Sequence, residues 1–222
     1  MTTMLPPSPL PPKALLLDLD GVLLDTRPVI ERAWQQVLNE HGLDVPFEEY
    51  ERHLGRPFAD IMELLGFTES EQFHRTYDEA SIAASHLARE FDGTVEVLHA
   101  FVAAGWRLGI VTSKPLDRAS SLLARLGCPF STVRTPNSGG RGKPAPDTVL
   151  LALTDLGVDP ADAVYVGDMT VDQEAARRAG VPYLHAGWGY GCPGAPSPVV
   201  AESPKNLLSL LAPGPFLEGS LL

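Results

Sequence analysis

The sequence predicts a doubly wound α/β fold, a mainly parallel sheet with an all-helical unit inserted after its first strand. Three observations predict it. Three continuous apolar runs, "KALLLDLD" (13–20), "WRLGIVTSK" (106–114) and "AVYVGD" (163–168), have the pattern of strands covered by helices on both faces. Strand and helix patterns alternate from about residue 92 onward. Residues 22–91 carry helical periodicity and no convincing strand.

The elements follow in order. The opening "MTTMLPPSPLPP" is too Pro-rich and too poor in basic residues for a signal sequence, and residues 1–12 read as a frayed arm. Residues 13–21 carry the first strand and its turn. Within 22–91, "TRPVIERAWQQVLNEHG" and "FADIMELLG" are helical, with the turn after Gly21 and "FDGT" (91–94) as the two hinges. Residues 92–222 complete the core. Its helical patterns are "TVEVLHAFVAAG" (94–105), "PLDRASSLLARLG" (115–127), "APDTVLLALTDLG" (145–157) and "TVDQEAARRAG" (170–180). "PYLHAGW" (182–188) is a weaker fourth strand after Gly180, which suits a helix stop. "GYGCPGAPSP" (189–198) reads as a surface loop.

Composition narrows the function. The 222-residue chain has a formal net charge of −11, which argues against general binding to a nucleic-acid backbone. Residues 22–91 hold 14 acidic residues against 6 arginines and no lysine, so most of that charge lies in the insertion. No apolar run is long enough for a transmembrane helix. Cys128 and Cys192 are far apart, in no metal-binding spacing, and read as idle thiols. These features point to a cytoplasmic protein.

The chemistry is written at strand ends, where ligands of open α/β sheets bind. Asp18 and Asp20 end the first run, Thr112 and Ser113 the second, and Asp168 the third, with Asp172 four residues on. "GGRGKPAPD" adds Lys143 ahead of a helix. Carboxylates from different strands suit Mg²⁺, which takes one or two of them together with a phosphate. Thr112 and main-chain N–H groups can meet the oxygens of a phosphoryl group, and Lys143 offsets its charge. Each motif alone has a plain structural reading as a turn, a helix start or a Pro-rich loop. Their joint occurrence does not.

"DLDGVLLDT", "VTSKP", "GKPAPD" and "GDMTVD", in that order, resemble the four motifs of the haloacid dehalogenase superfamily. The helical insertion resembles its C1-type cap, as in phosphoglycolate-phosphatase-like members with a Rossmann-like core. The resemblance implies that Asp18 is the nucleophile, forming an aspartyl-phosphate, and that Asp20 is the acid/base. It implies that Thr112 and Lys143 hold the phosphoryl group, and that Asp18, Asp20 (through its carbonyl), Asp168 and Asp172 surround Mg²⁺. Ser113, Arg56 and Arg27 are the further expected contacts to substrate, the alternatives being that Arg56 serves packing or solubility at a helix start and that Arg27 pairs with nearby acids. Asp20 argues against dehalogenation, because dehalogenases of the superfamily lack an acid at that position. The absence of lysine from the insertion argues against phosphonoacetaldehyde hydrolysis. Val29 and Ile30 stand where β-phosphoglucomutase-like members carry a histidine, which weakens a sugar phosphomutase reading. A regulatory protein with a retired site is a further alternative, opposed by the intact Asp18, Asp20, Lys143 and Asp168. The resemblance therefore implies a Mg²⁺-dependent phosphatase acting on a small phosphorylated metabolite. The stretch "FEEYERHLGRPFADIMELLG" is also similar to phosphatases associated with 3-amino-5-hydroxybenzoate biosynthesis. The Gly-rich lead into Lys143 departs from the family pattern.

Overall fold

A computed structural model of the chain describes residues 13–68, 70–136 and 141–211. The expected N-terminal arm and part of the Gly-rich lead into Lys143 lie outside these residues.

The central strand β1 (Ala14–Leu17) is completely buried, as its unbroken apolar run requires. Successive side chains of a strand point to opposite faces, and the two faces of β1 enter two different cores. Leu15 and Leu17 pack with residues of α5 (Thr94–Ala103), α6 (Leu116–Leu123) and α9 (Asn206–Leu211). Ala14 and Leu16 pack with α7 (Asp147–Leu156) and α8 (Thr170–Ala179).

β1 pairs in parallel with β4 (Arg107–Val111) on one side and β6 (Ala163–Gly167) on the other. β5 (Thr132–Arg134), β7 (Tyr183–Ala186) and β8 (Val199–Ala201) complete a six-stranded parallel sheet in the order β5-β4-β1-β6-β7-β8. The chain reverses its direction of winding between β1 and β6. That is the switch point at which open α/β sheets leave a crevice for ligands. The four expected strands and four core helices are present, with the strands ending before the polar residues they deliver. β5 and β8 had no clear signal: each is three residues long, at or near a sheet edge.

Between β1 and β4 the chain forms α1 (Arg27–His41), α2 (Phe47–Glu51), α3 (Phe58–Leu64) and α4 (Glu71–Ala83). Ile30, Ala33, Trp34 and Val37 repeat at the spacing of one helix face and are buried. They share a third core with Tyr50, Phe58, Ile61 and Tyr77. Trp34 stacks on Tyr50 with ring centroids 4.4 Å apart, and its indole N–H donates to the Val45 carbonyl. The expectation of no strand in this stretch needs correction. β2 (Leu24–Asp25) and β3 (Arg89–Glu90) pair antiparallel at the roots of the insertion. Two residues are too few to show alternation in sequence.

Candidate active site

Each strand end delivers one part of the site. Asp18 directly follows β1, and its main-chain N–H continues the ladder to Val166 at 3.0 Å. Its Oδ1 accepts the Leu19 N–H at 2.7 Å. The chain then turns at Gly21, where φ is +76°. A Cβ there would also stand 2.2 Å from Asp168 Oδ2. Only glycine allows both the turn and this close approach.

Lys143 is 1% exposed and lies between two carboxylates. Its Nζ is 2.8 Å from Asp18 Oδ2 and 2.7 Å from Asp172 Oδ1, with the Tyr165 hydroxyl third at 3.4 Å. An ammonium has three hydrogens, and each has an acceptor. Tyr165 in turn donates to Asp172 Oδ1 at 2.9 Å, and Asp172 Oδ2 accepts the Met169 N–H at 3.0 Å. Asp172 thus serves the first turn of α8 and the buried cluster together.

Burial raises the Asp18 carboxyl to about 7 against the opposing pull of Lys143. Burial, then Asp172 and Asp18, push Asp168 well above the ordinary carboxylate range. Burial disfavours the Lys143 ammonium, but Asp172 and Asp18 outweigh it and hold its pKa above the ordinary lysine value.

Asp18, Asp168 and Asp172 bring carboxylate oxygens within 4.8 Å of one another. Asp168 Oδ2 accepts the Tyr190 N–H at 2.8 Å, whereas its buried Oδ1 has no hydrogen-bond partner among the described residues. An oxygen-only set with one orphaned carboxylate oxygen fits a hard divalent cation such as Mg²⁺. The carboxylate of Asp20 is not in this cluster. Its Oδ1 accepts the Thr26 hydroxyl and lies 3.2 Å from Lys114 Nζ.

A cavity of about 200 Å³ opens over these groups. Asp18, Asp20, Thr112, Ser113, Lys114 and Asp168 line its floor. Tyr50, Leu54, Phe58, Ile61 and Tyr77 of the insertion form an apolar wall opposite. Thr112 is buried, and its Oγ1 accepts the Lys114 N–H at 3.2 Å. Ser113 donates its hydroxyl to the Gly55 carbonyl at 2.6 Å, joining floor to insertion. Arg56 also lines the cavity and makes no hydrogen bond or ion pair among the described residues.

The structure does not bring Arg27 into the cavity lining. Its guanidinium pairs with Glu51 and lies 5.7 Å from the Phe47 ring centroid.

Sequence reading passed over several neighbours of the site. Lys114 stood inside "VTSKP", where a hydroxyl-rich strand end had drawn attention to Thr112 and Ser113. Arg118, on α6, lines the cavity and reaches Asp78 at 3.0 Å and Ser81 at 2.6 Å. Tyr165 looked like one more apolar strand residue. Tyr190 lay in a turn-rich segment with no periodicity to mark it.

The family model for haloacid dehalogenase-like hydrolases matches residues 15–186. N-acetylmuramic acid 6-phosphate phosphatase of Pseudomonas aeruginosa is 32% identical over 220 residues, covering 90% of this chain and 94% of the relative. A plasmid-borne phosphoglycolate phosphatase of Cupriavidus necator is also 32% identical, covering 91% and 92% respectively. The crystal structure of a hydrolase from Pseudomonas syringae superimposes with a TM-score of 0.83 over 90% of this chain and 97% of that one, at 24% identity. The chain belongs to the haloacid dehalogenase-like hydrolase family. It is a hydrolase, and these two sequence relatives are phosphatases. Among the described residues, no helix is long and apolar enough to cross a membrane.

Proposed function

We propose that the protein is a Mg²⁺-dependent phosphatase that hydrolyses a small phosphorylated metabolite through an aspartyl-phosphate on Asp18. Residues 13–21 with 92–222 form the catalytic core, and residues 22–91 act as a cap. The observation that carries this reading is the buried cluster at the β1–β6 switch point. Lys143 binds Asp18 and Asp172 there, beside the unpartnered Asp168 Oδ1.

Asp18 attacks phosphorus and becomes esterified, while Asp20, on the cavity side, protonates the departing oxygen. Asp20 then takes a proton from the water that cleaves the acyl phosphate, returning both groups to their starting states. Thr112 and Lys143 meet the phosphoryl oxygens, with Lys143 sharing its hydrogens between them and the carboxylates. Asp18, Asp168, Asp172 and the main chain of Asp20 would hold Mg²⁺. When bound, the ion supplies positive charge that draws the phosphate and the nucleophilic carboxylate together. The apolar wall excludes water while the bond is broken.

The relatives act on a sugar acid phosphate and on phosphoglycolate. Each of those compounds joins a phosphate ester to a carboxylate. Arg56, on the cavity wall with Asp60 nearby and no ion pair among the described residues, suits such a second anion, and this favours carboxylate-bearing phosphate esters as substrates. The test is a panel of phosphoglycolate, hexose phosphates, amino-sugar phosphates and nucleotides, assayed with Mg²⁺, with EDTA, and with Asp18→Asn. Hydrolysis by the wild type that disappears in both controls is expected. Activity that survives Asp18→Asn would sink the covalent route.

A further inference from the structure

Thr26 precedes α1, where a threonine hydroxyl ordinarily caps the first free N–H groups of a helix. Here Pro28 has no N–H to cap and the Val29 N–H goes to the Thr26 carbonyl, while the Thr26 hydroxyl donates to Asp20 Oδ1. The main chain at this helix start is held from 164 residues away. The phenol oxygen of Tyr190 accepts the main-chain N–H groups of Thr26 at 2.6 Å and Arg27 at 3.0 Å. Its own hydrogen has Asp25 Oδ1 at 3.1 Å and the Leu24 carbonyl at 3.4 Å as acceptors, and the Thr26 hydroxyl oxygen lies 3.5 Å away. Burial raises the pKa of this phenol, so the group stays neutral and keeps that hydrogen.

The other end of the same residue touches the buried acidic cluster. The Tyr190 main-chain N–H donates to Asp168 Oδ2. A Cβ on Gly189 would overlap Asp168, so the loop runs in contact with that side chain. Two residues before Tyr190, the Trp188 indole N–H donates to the Val22 carbonyl in the turn leading to the insertion. One short loop therefore grips the end of β6, the turn after β1 and the start of α1.

We propose that Tyr190 is a positioning residue for Asp20. By holding the main-chain N–H groups of Thr26 and Arg27, it fixes the residue whose hydroxyl donates to the Asp20 carboxylate, and it ties that orientation to the loop beside Asp168. The inference rests on Asp20 being the acid of the proposed phosphatase. Without the phenol, the Thr26 N–H loses its acceptor and the hydroxyl that Thr26 presents to Asp20 is held less firmly. Lys114 would then be the one remaining side-chain partner of Asp20 among the described residues.

Leaving groups that need a proton report on Asp20, and those stable as anions do not. The test compares Tyr190→Phe, Thr26→Val and Thr26→Ser on two substrates. One is p-nitrophenyl phosphate; the other is whichever of phosphoglycolate and the hexose 6-phosphates the wild type turns over fastest. For Tyr190→Phe and Thr26→Val, kcat on the alkyl ester should fall on the order of 10- to 100-fold, with KM within about threefold. On p-nitrophenyl phosphate the loss should stay below about threefold, and Thr26→Ser should behave as wild type. The Mg²⁺ concentration giving half-maximal thermal stabilisation should be unchanged in Tyr190→Phe, because the bond to Asp168 comes from the main chain. Equal losses on the two esters, or a weakened Mg²⁺ response, would overturn the assignment. Should Tyr190→Phe fail to fold, Thr26→Val carries the same comparison. Failure of the underlying phosphatase reading shows separately, as activity that persists in Asp18→Asn.

Discussion

Replacing Lys143 by methionine removes the one cation bonded to the buried carboxylates among the described residues and keeps much of the side-chain volume. With an effective dielectric constant of about 20, each ion pair of Lys143, at 2.8 Å or less, has an attraction of about 6 kcal/mol before desolvation is counted. The same relation gives at least about 3 kcal/mol of repulsion for each ionised pair among Asp18, Asp168 and Asp172, whose oxygens lie within 4.8 Å. Most of the attraction is offset by desolvation, so the expected net loss is that of an orphaned buried charge, about 3–5 kcal/mol. For a chain of this size that lowers the melting temperature by roughly 10 °C.

The assay is thermal and urea unfolding of wild type and Lys143→Met in EDTA, from pH 5 to 8. Without the lysine, burial raises the Asp18 and Asp168 carboxyls further, so the folded state holds protons that the unfolded state has released. Stability of the variant should therefore fall more steeply than wild type as pH rises through this range. Adding Asp172→Asn to Lys143→Met should recover part of the loss. A Lys143→Met protein as stable as wild type at pH 8 in EDTA would refute this electrostatic description of the cluster.

Other consequences can be checked with single substitutions. Gly21→Ala forces a side chain into the space of the Asp168 carboxylate at a left-handed φ; it should weaken the Mg²⁺ response by at least about tenfold, read as the Mg²⁺ midpoint in thermal stabilisation. Trp34→Ala empties the core of the insertion and should cost about 3–5 kcal/mol in urea unfolding; a loss under about 1 kcal/mol would show that this core contributes little. Burial lowers the His185 pKa from its ordinary 6.5 against a smaller opposing pull from the Gly191 main chain. The unfolded chain therefore takes up a proton there before the folded one does, and stability should decline as pH drops below about 6.5. His185→Gln should flatten that acid limb of the urea midpoint, and parallel limbs in the two proteins would count against the assignment.

The parts of the molecule legible in sequence are those with long-range burial behind them. The leucines of 15–17 had to be a covered strand, and the polar residues after each apolar run had to emerge at its carboxyl end. The fold and the meeting of Asp18, Asp168 and Asp172 followed from that placement, and the four motifs carried the resemblance to the family. Less legible were groups whose role depends on partners distant in sequence. Tyr190 reads as a turn residue until its phenol is seen against α1, and Thr26 reads as a helix cap until its hydroxyl is seen on Asp20. Arg27 illustrates the converse. Its place after the first motif suggested either an anion contact or a pair with nearby acids, and the first turn of α1 points it toward Glu51 and Phe47. Three-residue strands such as β5 carry too few positions for periodicity to show.

The central claim is that Asp18 carries the phosphoryl group. It is tested most directly by acid-quenching wild type during turnover of its best substrate with Mg²⁺ and mapping the modified peptide by mass spectrometry. A transient phosphoryl adduct on Asp18, absent from Asp18→Asn and discharged on longer incubation, is the expected result. An adduct on another residue, or steady turnover by Asp18→Asn, would contradict it.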